Sequence, residues 1–292
     1  MPGQKALVEI LVKMEIRLNK EGFVKKLGIA VFACVFLCGV SARAGSIYIT
    51  GNNGANLFVV DSSNGASTFV GNFGFTILAD AFKPDGTLYG MIAGRSGGQL
   101  ATVNAFTGAA TPIGSATGIS NLDAIAFTPT GALYAASFAT DSLYTVNLST
   151  GAANVVGKLG FTGVMDLAWD SGNSTMYAIE SFGTGSALYS LNLSTGAGTL
   201  VTATPSNGCL MGLAIDSANR FLATDYCSAS SPLFQINTTT GALTNLGNTG
   251  IANSMGGDVA PIPEPLTGLT LASGLAFAWL RKKTCQEGRK GN

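Results

Sequence analysis

The sequence predicts an all-β fold, a five-bladed β-propeller, set between two apolar terminal segments. Three observations carry the prediction. A five-residue phrase returns at intervals of 43, 43, 45 and 45 residues, each copy leads into a turn ending in glycine, and the charge of the 292-residue chain is segregated, basic at both ends and acidic in the middle.

The phrase reads Leu57-Phe58-Val59-Val60-Asp61, Leu100-Ala101-Thr102-Val103-Asn104, Leu143-Tyr144-Thr145-Val146-Asn147, Leu188-Tyr189-Ser190-Leu191-Asn192 and Leu233-Phe234-Gln235-Ile236-Asn237. Its apolar positions alternate as in a strand with one buried face, and a period near 45 residues is that of propeller blades. The glycine that follows (Gly65, Gly108, Gly151, Gly196, Gly241) supplies the positive φ of a tight hairpin. One unit divides into four short strands, Val164 to Trp169, Thr175 to Glu180, Ala187 to Leu193 and Gly198 to Val201. The same phase starts further blades near Leu78, Leu122 and Leu210. A fifth begins at Gly256-Gly257-Asp258-Val259-Ala260 and meets the C-terminal segment before its second strand. Its missing strands lie at the other end of the chain, where Ile47-Tyr48-Ile49-Thr50 matches Leu133-Tyr134-Ala135-Ala136 and Met176-Tyr177-Ala178-Ile179. Closure from both termini hides the edges that an open sheet exposes. The propeller is expected over residues 45–261, with a six-bladed or open array as the alternative.

Residues 1–44 hold seven Lys/Arg and three acids, residues 266–292 five and one, leaving four bases (Lys83, Arg95, Lys158, Arg220) and twelve acids between them. A body at net −8 cannot form the basic surface that phosphate contacts require, which excludes nucleic-acid binding. The absence of histidine removes Ser-His-Asp and Cys-His catalysis and His-ligated metals.

Lys25 and Lys26 precede a fourteen-residue apolar run, Leu27 to Val40, followed by Ser41-Ala42-Arg43-Ala44. This pattern reads as a secretory signal cut by signal peptidase after Ala44, with Ala42 and Ala44 in the small-residue pockets. The stretch before Lys25 is long for such a signal, so Met14 is a second candidate start. At the other end stand Ile262-Pro263-Glu264-Pro265, an apolar stretch to Leu280, and Arg281-Lys282-Lys283. Two prolines keep the approach extended, and the triple cation fixes the far side of a membrane helix in the cytoplasm. These three parts resemble the PEP-CTERM sorting signal of Gram-negative bacteria. The resemblance implies export, anchoring through the C-terminal helix, recognition of Pro263, Glu264 and Pro265 by an exosortase, and a place at the cell surface or in an extracellular matrix.

Cys209 and Cys227 are the two cysteines of the expected exported part. They flank a hairpin, Met211 to Ile215 with Arg220 to Asp225, symmetrically about its Ser217-Ala218-Asn219 turn, so a disulfide between them is expected. Asp80, Asp123, Asp166 and Asp258 lie on the first strands of blades, where a channel mouth could gather ligands for Ca²⁺. Counted from the aromatic that ends each strand, Asp166 aligns with Asp258 while Asp80 and Asp123 do not, so they are expected as turn and backbone partners rather than as a metal site. Phe82, Phe127 and Trp169 are expected between blades. Asn147, Asn192 and Asn237 match glycosylation sequons but recur at the turn position and read as turn residues. No calcium loop, phosphate loop or nucleophile elbow occurs, and no cofactor is called for. The expected function is that of a non-enzymatic surface or matrix protein that binds exopolysaccharide or another surface protein. The alternative is an exported propeller enzyme, a metal-dependent lactonase-like hydrolase or a lyase, with an acidic site at the channel mouth.

Overall fold

The alternating phrase forms the third strand of each blade, between a buried second strand and an outer strand facing solvent. The computed structural model describes residues 46–94, 97–181, 185–205 and 209–261, and in these twenty strands make five four-stranded antiparallel sheets. The first complete blade holds β4 (Ile77–Phe82), β5 (Leu88–Ile92), β6 (Gln99–Val103) and β7 (Ala110–Pro112). The second holds β8 (Leu122–Phe127), β9 (Leu133–Ser137), β10 (Ser142–Val146) and β11 (Ala153–Lys158). The third is β12 (Val164–Asp170), β13 (Thr175–Glu180), β14 (Ser186–Leu191) and β15 (Gly198–Thr204), and the fourth β16 (Leu210–Ile215), β17 (Phe221–Asp225), β18 (Pro232–Ile236) and β19 (Leu243–Asn248).

The fifth blade joins the two ends of the domain in the order β20-β1-β2-β3, from β20 (Gly257–Val259), β1 (Ser46–Gly51), β2 (Asn56–Asp61) and β3 (Ser67–Asn72). Ile47, Tyr48 and Ile49 pair with Val259, Asp258 and Gly257. The innermost strands then touch in a closed ring, β4 to β8 to β12 to β16 to β20 and back to β4. No helix occurs among the described residues. The predicted signal cleavage at Ala42 and Ala44, the sorting motif Pro263, Glu264 and Pro265, and the basic cluster Arg281, Lys282 and Lys283 lie outside them.

Five apolar clusters fill the five gaps between neighbouring blades. A second-strand tyrosine meets the aromatic of the next blade's first strand, Tyr48 with Phe82 edge-on at 4.9 Å and Tyr89 with Phe127 at 5.2 Å. Phe82 and Phe127 are buried there, and Trp169 packs partly buried against the equivalent cluster. Such contacts bury large aromatic area and favour the tilted and edge-on geometries seen.

The turn after the phrase is built by its asparagine. Asn192 Oδ1 accepts from the backbone N–H groups of Ser194 and Thr195 at 2.9 and 3.2 Å, Thr195 Oγ1 accepts from Ala197 N–H, and Gly196 N–H donates to Asn192 O at 2.8 Å. Asn104, Asn147 and Asn237 repeat these bonds, so the sequon asparagines are turn residues, as their recurrence suggests. The turn also locks blades together. A Cβ on Gly157 in β11 would lie 2.0 Å from Thr195 O, an approach that only glycine permits.

Candidate functional site

Each blade is antiparallel, so its connections alternate between two faces of the ring. On one, the turn face, nine short hairpin turns join β2 to β3, β4 to β5, and so on to β18 and β19. Those that follow the phrase share the asparagine or aspartate chemistry just described. The opposite, loop face carries connections with no common motif, including residues 113–121 and 249–256. Six of the eight non-glycine residues with positive φ fall here: Asn52, Asn53, Asn121, Asp141, Ser231 and Asn253. Backbone in this region is costly for residues with a side chain and collects where a structure serves recognition. Phe75 and Phe138 stand exposed on this face.

The loop face is also reinforced at the seam between the fourth and fifth blades. Tyr226 O–H donates to Asn53 Oδ1 at 2.9 Å, and Asn253 Nδ2 donates to Tyr226 O at 3.3 Å. Cys209 and Cys227 are joined in a disulfide with a Cα separation of 5.7 Å, just beyond the Leu210 to Asp225 ladder partners. Asp225 holds the second cysteine by accepting from Cys227 N–H at 2.8 Å and from Ser228 Oγ–H at 3.0 Å. Cys209, Asp225 and Cys227 place their ligand atoms within 4.8 Å of one another, but the disulfide consumes both sulfurs.

The four aspartates of the first strands are not level. The ladders place Asp258 one residue before Val259, Asp80 two before Phe82, Asp166 three before Trp169 and Asp123 four before Phe127. Asp258 is therefore two positions out of register with Asp166, not aligned with it as the count from the sequence suggests. The four step along the channel over about 10 Å, at roughly 3.3 Å per residue. Asp123 is highest, in a bulge facing the loop side, and Asp258 is nearest the turn face.

Three of them lie near enough for their charges to act on one another, Asp80 and Asp166 fully buried and Asp258 half-buried. Asp166 crosses from β12 to two other blades, its Oδ2 accepting from Leu213 N–H at 2.8 Å and Gly257 N–H at 3.2 Å, while Oδ1 accepts from Leu167 N–H. Asp258 Oδ2 accepts from Phe82 N–H and Oδ1 from Val259 N–H, both at 2.8 Å. Asp80 Oδ1 accepts from the Thr50 hydroxyl at 2.6 Å, and its Oδ2 is buried without a partner. Burial is the main force on their protonation. It raises Asp80 to about 7 against the pull of the Thr50 hydroxyl, with the Asp258 charge adding to the rise, and raises Asp258 to about 7 against the two N–H donors. It lifts Asp166 well above the usual carboxylate range despite three N–H donors, with the Asp80 charge again adding. Asp123 is raised to about 6 by burial, opposed by the Asn121 side chain.

No described cation offsets this charge. Lys83 pairs with Asp85 and Arg220 with Asp216, both on the turn face, while Lys158 Nζ donates to Thr140 O. Among the described residues no three channel carboxylates bring ligand atoms within 4.8 Å of one another, so they form a hydrogen-bonded plug rather than a ready metal cage. Thr50 is the member that sequence reading passed over. Its signal is a hydroxyl, shared with Thr224 of the fourth blade, at a second-strand position where Met91, Ala136 and Ile179 stand in the first three complete blades.

A family profile described as "Repeat of unknown function (DUF6923)" matches residues 79–258, more than half of the chain. The chain belongs to this family. The DUF6923 match opens in β4 and ends in β20, leaving out β1 to β3, which complete the last blade. No curated protein matches the sequence. Among solved structures, a chain from a nidogen/laminin complex superposes with a TM-score of 0.53 at 10% identity, covering 74% of this chain and 98% of that one. TolB from Acinetobacter baumannii (TM-score 0.47, 16% identity) covers 75% of this chain, which spans 55% of the TolB chain. The PQQ-bound aldose sugar dehydrogenase from Streptomyces coelicolor (TM-score 0.44, 16% identity) covers 71% of this chain and 80% of that one. At 10% identity the likeness to the nidogen/laminin chain is one of fold alone, and a fold does not by itself assign a function.

Proposed function

We propose that this DUF6923 propeller is an exported, non-enzymatic component of the envelope or extracellular matrix of a Gram-negative bacterium. It presents its loop face to exopolysaccharide or to another surface protein and is held from its turn face by the C-terminal sorting signal. The observation that carries the reading is the opposition of the two faces. β20 ends and β1 begins on the turn face, where Ala260 N–H donates to Ser46 O at 3.2 Å. A tether leaving there directs the loops with their positive-φ asparagines away from the membrane. The acidic body, twelve acids against four bases, disfavours a polyanion and favours an uncharged polymer as ligand. Carbohydrate recognition suits loops rich in amides and hydroxyls with few charges.

The test compares wild type with Pro263→Ala/Glu264→Ala/Pro265→Ala in the native host by intact mass and fractionation. Loss of the C-terminal helix from the wild type, its retention in the variant, and co-fractionation of the processed form with surface polysaccharide are expected. An intact C-terminus in both removes exosortase sorting, and with it the matrix role.

A further inference from the structure

The channel poses a problem in hydrogen-bond accounting. Asp80, Asp166 and Asp258 contribute six carboxylate oxygens, of which five accept a bond from an N–H or O–H donor. The sixth, Asp80 Oδ2, is sealed from solvent and has no donor. Asp80 as a residue is 1% exposed and Asp166 0%. The strands that pack on β4 bring Tyr48 and Thr50 from β1, Tyr89 from β5, Asp123 from β8 and Asp258 from β20, the charge of Asp80 also acts on Asp166 of β12, and none of these strands brings a lysine or arginine. A bare carboxylate oxygen among like charges with no cation is the arrangement that a folded protein avoids.

We propose that Asp80 binds a proton on Oδ2 when the ring closes, making the centre of the propeller a proton site in which the carboxylic acid of Asp80 neighbours the N–H-bonded carboxyl groups of Asp166 and Asp258. The proton comes from solvent and neutralises the oxygen that no N–H or O–H donor reaches. It also removes one of three negative charges from the ring's centre. Asp80 is the member that takes it because its Oδ2 is the one oxygen of the six without a donor, whereas both oxygens of Asp166 and of Asp258 accept N–H bonds. The spacing of the carboxylates, too wide for a three-carboxylate metal site, favours a proton over a divalent cation.

The consequence is a ring more stable in acid than in alkali. A group raised on folding contributes stability that is complete below about pH 4, its unfolded value, and is lost as pH rises through about 7. The experiment is thermal unfolding of the full chain between pH 5 and pH 8, for wild type and Asp80→Asn, with EDTA and with millimolar Ca²⁺ or Mg²⁺. The wild-type midpoint is expected to fall by roughly 5–10 °C over this range. Asp80→Asn, which keeps the shape and cannot ionise, is expected to fall less and to exceed wild type at pH 8, with no response of either to the cations. Parallel pH profiles for the two proteins overturn the proposal. So does a rise in the wild-type midpoint with Ca²⁺ or Mg²⁺ at pH 8 that Asp80→Asn abolishes, since a cation then occupies Oδ2. Should Asp80→Asn fail to fold, infrared spectroscopy of wild type at pH 6 decides. The carbonyl stretch of a buried protonated carboxylic acid is expected, and its absence overturns the assignment.

Discussion

Asn192 shows how much of this molecule rests on single polar atoms in exposed turns. Its Oδ1 holds two backbone N–H groups and fixes the conformation that Gly196 completes with φ of 81°. Asn192→Ala is expected to cost about 1–2 kcal/mol, because two donors lose their partner and water recovers part of the loss at this exposed site. Urea denaturation reads the difference as a shift in midpoint at unchanged slope. The glycine opposite works by absence. Gly157→Ala sets a methyl 2.0 Å from Thr195 O, so the third blade's turn must move away from the second blade, and a loss of about 2 kcal/mol or more is expected in the same measurement. Neither residue touches the apolar core, yet both govern how one blade leans on the next.

At the level of hairpins and strands, the disulfide spans a sequence separation of 18 residues and closes the β16–β17 hairpin on the loop face. Its removal in Cys209→Ser/Cys227→Ser is expected to lower stability by about 3 kcal/mol, as chain-entropy arguments give for a loop of this length. Comparing that variant with wild type under reducing and oxidising conditions checks it, since only the wild type should respond to reductant. This bridge, like the strand phase, is legible in the sequence, because a hairpin is local and symmetric about its turn. The third strands are legible for the same reason: Leu188 to Asn192 and its four counterparts repeat with almost no drift. The channel is not. Ladder irregularities between Ile77 and Ala79, Leu122 and Ala124, Val164 and Asp166, and Leu210 and Gly212 each insert a residue, so counting along the strand no longer says which side chain points inward. Asp258 is misaligned for a further reason: its strand ends on Val259 instead of an aromatic, and the landmark used for counting is missing. The loop face stays hidden because its connections share no motif, and the positive φ of Asn121 or Asn253 is set by tertiary contacts rather than by a local sequence signal.

The whole ring depends on a seam made from residues more than 200 apart in sequence, with Ile47 paired to Val259. Arg220 ties the blade so completed to the fourth blade. Its guanidinium binds Asp216 Oδ2 at 2.7 Å and donates to Ser62 Oγ at 3.0 Å and to Ser62 O at 3.3 Å across to the fifth blade. Removing β1 to β3 by starting the domain at residue 77 strips β20 of its partner and bares β4 and β16 along their inner flanks. Loss of cooperative thermal unfolding and self-association in size-exclusion chromatography are expected, because unpaired edges and apolar faces then meet solvent. The hydrogen bond from Ala260 to Ser46 that brings the two ends together has a different implication. A short linker between these residues would turn the domain into a circle of sequence with no privileged beginning. Reopened in the 73–76 connection, that circle would run from β4 to β3 with every blade contiguous. Such a rearranged chain should fold to the same ring, and it would offer its free ends, and anything fused to them, on the loop face instead of the turn face.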